Sequence, residues 1–383
     1  MPAAIPPGVA AGIAFDAAGE RAAFARGPAD PATGRAATPD DPARIASVSK
    51  LVVAIGVMKL VEQGRLSLDG TVELAPGRAL RNPAFPDSPV TLVHLLSHTS
   101  GLRDADDQYA VPLGETVAAA ISDPRSWDPA HPPGAYFTYA NLNFPVVAGL
   151  VERATGERFD RWMRREILDP LRLDACFNWP TCSDAAVARA IVLTQSGKPI
   201  RDDLRGLRPA CPVFVREGVP CDLSRWRAGE NGALFAPQGG LRISVRGLAR
   251  IGRMLLNNGE VDGVRLLSPA SVRALFTRRW SFNGSNGATE AGFYCHFGLS
   301  THRIAAPPRS GCRDDPLGTG RSWIGHAGEA YGLRSGLWLD PVKGEGIAYL
   351  ITGLDSTPPP GRSAFTAAEE AVFRRTEALH RKR

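Results

Sequence analysis

Short apolar segments near both ends of the chain most constrain its fold. Residues 8–15 and 21–25 flank a Gly-containing turn, which predicts a β-hairpin. Residues 333–339 and 346–352 form a similar pair around a turn that contains Pro and Gly. Each apolar face of a sheet must be covered by another layer. We therefore expect an α/β (α+β) fold, in which one antiparallel sheet built from both chain termini is flanked by helices.

Helices are predicted between these strands, with a mainly helical lobe in the middle of the chain. The periodic apolar segments that predict them are 51–61, 91–97, 115–122, 141–154, 158–168, 244–257, 268–276 and 363–381. Residues 176–235 have little periodicity and many Pro, Gly and Cys residues, so they predict a disulfide-tied loop region. The expected division is a sheet domain of residues 1–75 and 235–383, and a helical lobe of residues 76–234.

Composition excludes several classes of function. Of the 383 residues, 44% are hydrophobic and 22% charged, which is typical of a soluble globular protein. The net charge of +6 comes mainly from arginine, but no basic cluster with interleaved aromatic residues occurs, so a nucleic-acid partner is not expected. No apolar run has the length of a membrane span. Residues 1–7 lack the features of a signal peptide, so any such signal would have been removed.

The six cysteines predict disulfides and an oxidising compartment. An even count is typical of a disulfide framework, and no Cys-x-x-Cys spacing indicates a metal or redox site. Neighbouring positions favour three local bridges: Cys176–Cys182, Cys211–Cys221 and Cys295–Cys312. This pattern favours a periplasmic or secreted protein. The alternative is six buried thiols in a cytoplasmic protein.

Ser47-Val48-Ser49-Lys50 is the motif that carries most of the chemistry. It begins a helical segment, and residues three apart share one face of a helix, so the Lys50 ammonium can reach the Ser47 hydroxyl. A serine hydroxyl becomes a good nucleophile when a neighbouring base accepts its proton. Burial lowers the pKa of a lysine and makes it such a base. The alternative is an ordinary helix start with a solvated lysine.

Two further motifs follow. In Tyr139-Ala140-Asn141, the phenol can relay a proton if a nearby lysine lowers its pKa, and the amide can hold both substrate and Lys50. In His326-Ala327-Gly328, the glycine allows the backbone to approach a ligand closely. The alternatives are an exposed tyrosine after a Pro/Gly turn, and a turn with a structural histidine.

Together and in this order, the three motifs resemble those of the penicillin-recognising serine hydrolases. That family includes class C β-lactamases, D-alanyl-D-alanine carboxypeptidases, D-aminopeptidases and related esterases. Residues 92–102 and 239–250 are also similar to family segments, and the resemblance covers about residues 5–380. It implies a β-lactamase/transpeptidase-like fold and a reaction that needs no metal or cofactor.

The resemblance also implies roles for the motif residues. Ser47 would be the nucleophile that forms an acyl-enzyme, while Lys50 and Tyr139 would share general-base and general-acid work. Asn141 would orient the substrate and Lys50. His98 could be mistaken for a catalytic base, but its sequence context predicts a structural residue.

The third motif and the residue after it bear on the substrate. His326 would take the electrostatic and hydrogen-bonding place that lysine often fills, and Gly328 would lie against the substrate. The backbone N–H groups of Ser47 and Glu329 would form the oxyanion hole. The Glu329 carboxylate would repel a substrate carboxylate and attract an ammonium, unless Arg334 points inward and offsets it.

The predicted function is therefore hydrolysis of a small ester, amide or peptide substrate, of the esterase or D-amino-acid peptidase type. One alternative is a β-lactamase or D-Ala-D-Ala carboxypeptidase, which a histidine in the third motif disfavours. An alternative of another class is a non-catalytic β-lactam-binding sensor module, which would be acylated without turnover.

Overall fold

A computed structural model describes residues 8–200, 209–306 and 310–381 of the chain. Within these residues, the largest sheet has eight antiparallel strands in the order β3-β4-β5-β6-β7-β8-β1-β2. The strands are β1 (Ala10–Asp16), β2 (Glu20–Arg26), β3 (Trp280–Ser281), β4 (His296–Phe297), β5 (His302–Ile304), β6 (Trp323–Ala330), β7 (Leu333–Asp340) and β8 (Glu345–Ile351).

The first strand of this sheet lies beside the last. The register between β1 and β8 runs from Ala10 opposite Ile351 to Asp16 opposite Glu345. The prediction of one antiparallel sheet built from both termini is therefore confirmed. The strands from β3 to β6 were not predicted, because β3 to β5 are only two or three residues long and the glycines of β6 obscure its alternation.

The helices match the periodic segments closely. They are α1 (Val48–Glu62), α2 (Leu92–Leu96), α3 (Val117–Ala120), α4 (Asn143–Thr155), α5 (Phe159–Met163), α6 (Asp184–Arg189), α7 (Val245–Leu256), α8 (Pro269–Phe276) and α9 (Ala367–Glu377). Helix α4 ends at Gly156, whose left-handed φ of 72° satisfies the C-terminal cap. Helix α9 begins later than predicted, because Thr366 and Glu369 form a capping box there.

Short elements complete the chain. Helix α5 continues as one π-helical turn, Arg164–Leu168, and the described residues also contain 3₁₀ turns at Pro124–Ser126, Leu223–Arg225 and Ala378–Arg381. A three-stranded sheet joins Ala43–Arg44, Leu241–Ile243 and Cys176–Phe177. The two-stranded pairs are Pro28–Asp30 with Arg35–Ala36, Glu73–Ala75 with Arg78–Ala79, Thr194–Gln195 with Lys198–Pro199, and Glu260–Val261 with Val264–Arg265. The loop region predicted at 176–235 thus contains α6 and short strands, and its residues 201–208 lie outside the described residues.

Helices cover both faces of the large sheet. Helix α7 packs on β1 and β8 from one side, and α9 packs on the same strands from the other. Side chains such as Phe15 and Leu337 are buried on the first side, and Trp338 and Phe373 on the second. Helix α1 packs against β6 and α4 and is apolar all round, which is why nearly every residue of it is buried. This burial fixes the end of α1 that carries the Ser-x-x-Lys motif.

Three disulfides join the six cysteines: Cys176–Cys182, Cys211–Cys221 and Cys295–Cys312. They suggest an oxidising environment for the folded protein. In the part of the chain that the structure describes, no helix combines the length and apolar character needed to cross a bilayer.

Candidate active site

Ser47 immediately precedes helix α1 and is partly exposed. The residue before it, Ala46, has a φ of 46°, a strained conformation for a residue with a Cβ that is often found at active sites. Lys50 is fully buried one turn into the helix, and its Nζ lies 3.0 Å from Ser47 Oγ. Burial lowers the pKa of Lys50 to about 7, although the carboxylate of Asp104 acts in the opposite direction.

Two further acceptors surround Lys50 Nζ. Asn141 Oδ1 lies 2.7 Å away and the Gln238 carbonyl oxygen 2.9 Å away. A neutral amine has two N–H groups and one lone pair. Because both of these oxygens can only accept, they take the two N–H groups and leave the lone pair facing the Ser47 hydroxyl. The arrangement can therefore accept the serine proton.

Asp104 fixes the orientation of Asn141. Its Oδ2 accepts hydrogen bonds from the Asn141 side-chain amide at 2.9 Å and from the Asn141 backbone N–H at 2.8 Å. Its Oδ1 accepts from the backbone N–H of Leu142 at 2.9 Å. Since a carboxylate cannot donate, the Asn141 NH₂ group must face Asp104 and the amide oxygen must face Lys50.

Tyr139 is partly buried beside the Ser–Lys pair, with Lys50 Nζ 4.9 Å from the centre of its ring and its hydroxyl oxygen buried. The ring is stacked between His98 and Tyr294, with centroid distances of 4.3 and 4.8 Å. Burial raises the pKa of Tyr139, and the neighbouring hydroxyls of Ser47 and Tyr294 offset this only in part. The condition that a nearby lysine lowers this pKa is therefore not met, because desolvation of the phenolate outweighs the surrounding donors. A protonated phenol can serve as an acid.

The Tyr139 hydroxyl forms no well-aligned hydrogen bond with the described residues. It lies in the wall of the cavity that also contains Ser47. A buried hydroxyl without a partner is costly, so a substrate atom that pairs with it would bind favourably.

His98 has a structural position, as its sequence context predicts. Its Nδ1 accepts a hydrogen bond from the Ala140 backbone N–H at 3.1 Å and lies 3.2 Å from Asn143 Nδ2. Burial and the nearby Lys50 hold the pKa of His98 well below its usual value. The neutral ring thus supports the backbone next to Tyr139 and does not line the cavity.

His326 lies on β6 and is also buried. Its Nδ1 donates to the Ala327 carbonyl oxygen at 2.6 Å, because a carbonyl can only accept. Burial, followed by the charge of Lys50, lowers the pKa of His326 to about 3. This result corrects the expected electrostatic role: a neutral imidazole cannot replace the positive charge of a lysine. Its buried Nε2 has no partner among the described residues and remains able to accept a hydrogen bond.

The outer edge of β6 borders the cavity. Strand β5 pairs with β6 only at residues 323–325, so in the described chain residues 326–330 are paired in the sheet on the β7 side alone. Such an edge offers backbone N–H and C=O groups to a ligand. A Cβ on Gly328 would collide with the Ile45 carbonyl oxygen and Ser335 Oγ, so glycine is needed for the strand to approach the segment before Ser47.

Glu329 faces the cavity, and its carboxylate forms an ion pair with Arg334 at 2.6 Å. The two residues are cross-strand partners on β6 and β7. Most of the Glu329 side chain, 71%, is exposed, whereas Arg334 is 12% exposed. The ion pair offsets the negative charge of Glu329. The predicted repulsion of carboxylate substrates is therefore weakened, as expected from the sequence if Arg334 pointed inward.

Several residues in and around the cavity were not identified from the sequence. Asp104 and Gln238 lie far from the motifs in sequence, and Gln238 acts through its backbone carbonyl, so no residue pattern could have indicated it. Tyr294 and Glu290 also line the cavity, on a segment that the disulfide of Cys295 anchors. Their spacing has no helical or strand periodicity.

Among the residues that the structure describes, no group of three or more His, Cys, Asp or Glu side chains is placed to hold a metal ion. The chemistry available to these residues is nucleophilic attack by Ser47 with proton transfer by Lys50 and Tyr139.

Comparison with known proteins identifies the family of this chain. The model of the Beta-lactamase family matches residues 6–372. Penicillin-binding protein 4 of Amycolatopsis lactamdurans is 30% identical over 270 residues, which are 70% of this chain but only 64% of that protein. Esterase EstB of Burkholderia gladioli is 32% identical over 170 residues, 40% of this chain and 42% of the esterase.

A solved structure extends the similarity in fold to nearly the whole chain. The D-amino acid amidase of Ochrobactrum anthropi SV3 superposes with a TM-score of 0.68, covering 98% of this chain and 94% of the amidase. Its sequence identity of 18% shows a shared fold and no more. With a family model matched along nearly its full length, this chain belongs to the Beta-lactamase family, whose members are serine acyl hydrolases.

Proposed function

We propose that this protein is a serine hydrolase that cleaves ester or amide bonds through an acyl-enzyme on Ser47. The observation that carries the proposal is the contact of 3.0 Å between Ser47 Oγ and the Nζ of a buried lysine whose pKa is lowered to about 7. At neutral pH, a large fraction of Lys50 is then a free base, which is the form that accepts the serine proton.

In the proposed acylation step, Ser47 Oγ attacks the substrate carbonyl carbon while its proton passes to Lys50 Nζ. The carbonyl π electrons move onto oxygen, and the backbone N–H groups of Ser47 and Glu329 stabilise that oxyanion. The oxyanion then collapses, the bond to the leaving group breaks, and the Tyr139 hydroxyl protonates the departing atom. The proton on Lys50 Nζ then passes to the Tyr139 oxygen, which restores the phenol and the neutral amine.

In deacylation, water attacks the acyl-Ser47 carbonyl carbon and gives a proton to Lys50 as the bond to Oγ breaks. Oγ takes that proton back from Lys50 Nζ, and the carboxylic acid product leaves. Asn141 holds Lys50 Nζ in position throughout, and Asp104 holds Asn141. The buried Nε2 of His326 has no partner among the described residues and is able to accept a hydrogen bond; its ring centroid lies 6.1 Å from that of Tyr139.

The preferred substrate class is an ester or amide of the esterase or D-amino-acid peptidase type. The neutral state of His326 supports this choice over a β-lactamase or D-Ala-D-Ala carboxypeptidase, because the third motif provides no cation for a substrate carboxylate. Aromatic side chains of Tyr109, Phe293 and Tyr294 line the cavity and suit an apolar group on the substrate. The three disulfides support a periplasmic or secreted location.

Intact-mass analysis with a fluorophosphonate tests the nucleophile. Wild type and the control variant Ser285→Ala, which removes an exposed hydroxyl outside the cavity, should each gain one adduct. Ser47→Ala should gain none, because the acyl-enzyme requires that oxygen. An adduct that persists on Ser47→Ala would overturn the assignment.

A substrate panel tests the class of reaction. Short-chain p-nitrophenyl esters, D-amino-acid amides, D-Ala-D-Ala peptides and nitrocefin should be compared by kcat/KM, with turnover expected on esters or amides. A burst of one equivalent without further turnover on all of them would instead indicate the sensor module.

A further inference from the structure

The cavity in front of Ser47 contains charged side chains that the proposed reaction does not use. Both of its arginines are engaged by protein groups. Arg334 forms the ion pair with Glu329, and Arg44 donates from Nε to the Gly239 carbonyl oxygen at 3.0 Å. Neither cation is therefore available at full strength to a substrate carboxylate.

Most of the carboxylates in the cavity wall and directly behind it are engaged too. Asp104 accepts three hydrogen bonds from Asn141 and the following residue. Glu369 accepts from the backbone N–H and the hydroxyl of Thr366, at 2.9 and 2.7 Å. Glu290 differs, because its carboxylate has no hydrogen bond and no ion pair with any described residue. The uncommitted charge of the cavity is therefore negative.

Glu290 belongs to a segment that the fold holds firmly. Glu290 and Ala291 both have positive φ values, 47° and 56°, which residues with a Cβ adopt only when the surrounding structure requires it. The backbone N–H of Tyr294 donates to the Thr289 carbonyl oxygen at 2.9 Å, which closes the turn. The adjacent disulfide, Cys295–Cys312, ties the segment to the rest of the chain. The backbone that carries this carboxylate is thus held at the cavity wall, and the side chain is accessible from solvent.

We propose that Glu290 determines substrate specificity by binding a primary ammonium group next to the scissile ester or amide bond. This inference rests on the proposed function, because it needs a substrate bound at Ser47. An ammonium has three donors and a full positive charge, so it would satisfy the unpartnered carboxylate with a charge-assisted hydrogen bond. Burial, Glu329 and Asp104 raise the pKa of Glu290, and an ammonium would relieve that unfavourable environment. The ion-paired Glu329 is the weaker candidate for this role.

Matched esters test the inference. The substrates are D- and L-alanine methyl esters with a free amine and their N-acetyl derivatives, measured by pH-stat at about pH 7, where most of the amine is protonated. For at least one enantiomer, wild type should prefer the free amine. Glu290→Gln should lower the ratio of kcat/KM between amine and acetyl substrates about tenfold or more, the scale of a charged hydrogen bond. Hydrolysis of neutral p-nitrophenyl acetate should change less than about threefold.

Two variants serve as controls. Glu217→Gln makes the same charge change at an exposed position outside the cavity and should leave the ratio unchanged. Glu290→Asp keeps the charge and should retain most of the preference for the amine substrates. If Glu290→Gln does not fold, the kcat/KM ratio of Glu290→Asp becomes the deciding measurement. A wild-type preference for the N-acetyl esters would overturn the inference, as would a ratio unaffected in Glu290→Gln.

The fluorophosphonate adduct separates this result from the proposed function. If Ser47 is labelled and the amine preference does not depend on Glu290, only the specificity assignment fails. If Ser47 is not labelled, the proposed function itself fails.

Discussion

Replacing Asp104 by Asn should shift the pH dependence of catalysis to lower pH. The negative charge of Asp104 favours the protonated form of Lys50 and so raises its pKa. Without that charge, the pKa of Lys50 falls further below its present value of about 7. Since the proposed mechanism requires the neutral amine, the rising limb of kcat/KM should move to lower pH.

The size of the shift follows from the geometry. Hydrogen bonds of 2.7 and 2.9 Å link Lys50 and Asp104 to opposite ends of the Asn141 amide. The two charges are thus at most about 8 Å apart, which corresponds to about 0.5 kcal/mol in water and about 2 kcal/mol at an effective dielectric constant near 20. These energies equal shifts of about 0.4 to 1.5 pH units. Because Asp104 is exposed to solvent, screening places the expected shift in the lower half of that range.

The same substitution should reduce the maximal rate. An amide at position 104 places an NH₂ group or a weaker acceptor against the Asn141 NH₂ group, which removes the reason for the Asn141 oxygen to face Lys50. Loss of charge-assisted hydrogen bonds of this kind costs about 1.5–3 kcal/mol, or about tenfold or more in kcat/KM.

The assay is kcat/KM for a neutral p-nitrophenyl ester between about pH 5 and pH 9, which reports the pKa of the free enzyme. Asp87→Asn, at an exposed position outside the cavity, is the control for the change in net charge and should keep the wild-type profile. A rising limb that stays in place or moves to higher pH in Asp104→Asn would refute the electrostatic coupling between Asp104 and Lys50.

Three further predictions concern the catalytic residues, the strand beside them and the disulfide that anchors one wall of the cavity. Lys50→Ala and Tyr139→Phe should each lower kcat by roughly 10² or more, and their effects should be strongly non-additive because both residues serve one proton network. When the single and double mutants are measured with one ester, the loss in kcat of the double mutant should be much smaller than the product of the two single losses. Gly328→Ala should abolish turnover, because its methyl group would collide with the Ile45 backbone; retention of wild-type kcat/KM would show that the strand can move. Removing the Cys295–Cys312 disulfide by a double Ser substitution should lower the free energy of unfolding by about 2–4 kcal/mol in a urea titration; unchanged stability would contradict this role.

The sequence predicted those helices and strands that are determined by the residues within and next to them. The helical segments were found because their apolar spacing persists over several turns, as in α7 and α8. Strands β1, β7 and β8 were found because turn residues mark their ends. Strand β6 was missed because its glycines and histidine do not alternate with apolar residues, although it forms one wall of the cavity.

Within the site, the sequence determined the contact between Ser47 and Lys50, because residues three apart on a helix share a face whatever surrounds it. Only the tertiary structure decided the protonation states. The pKa values of Lys50, Tyr139 and His326 are all shifted mainly by burial, and that burial depends on segments far away in sequence. Glu329 pairs with Arg334 because the register of β6 and β7 places the two residues opposite each other. The sequence alone could not show that this ion pair offsets the charge of Glu329. Hydrogen-bonding motifs are local, but desolvation and Coulomb energies sum over the whole fold, so the chemistry of these residues emerges only when the chain is packed.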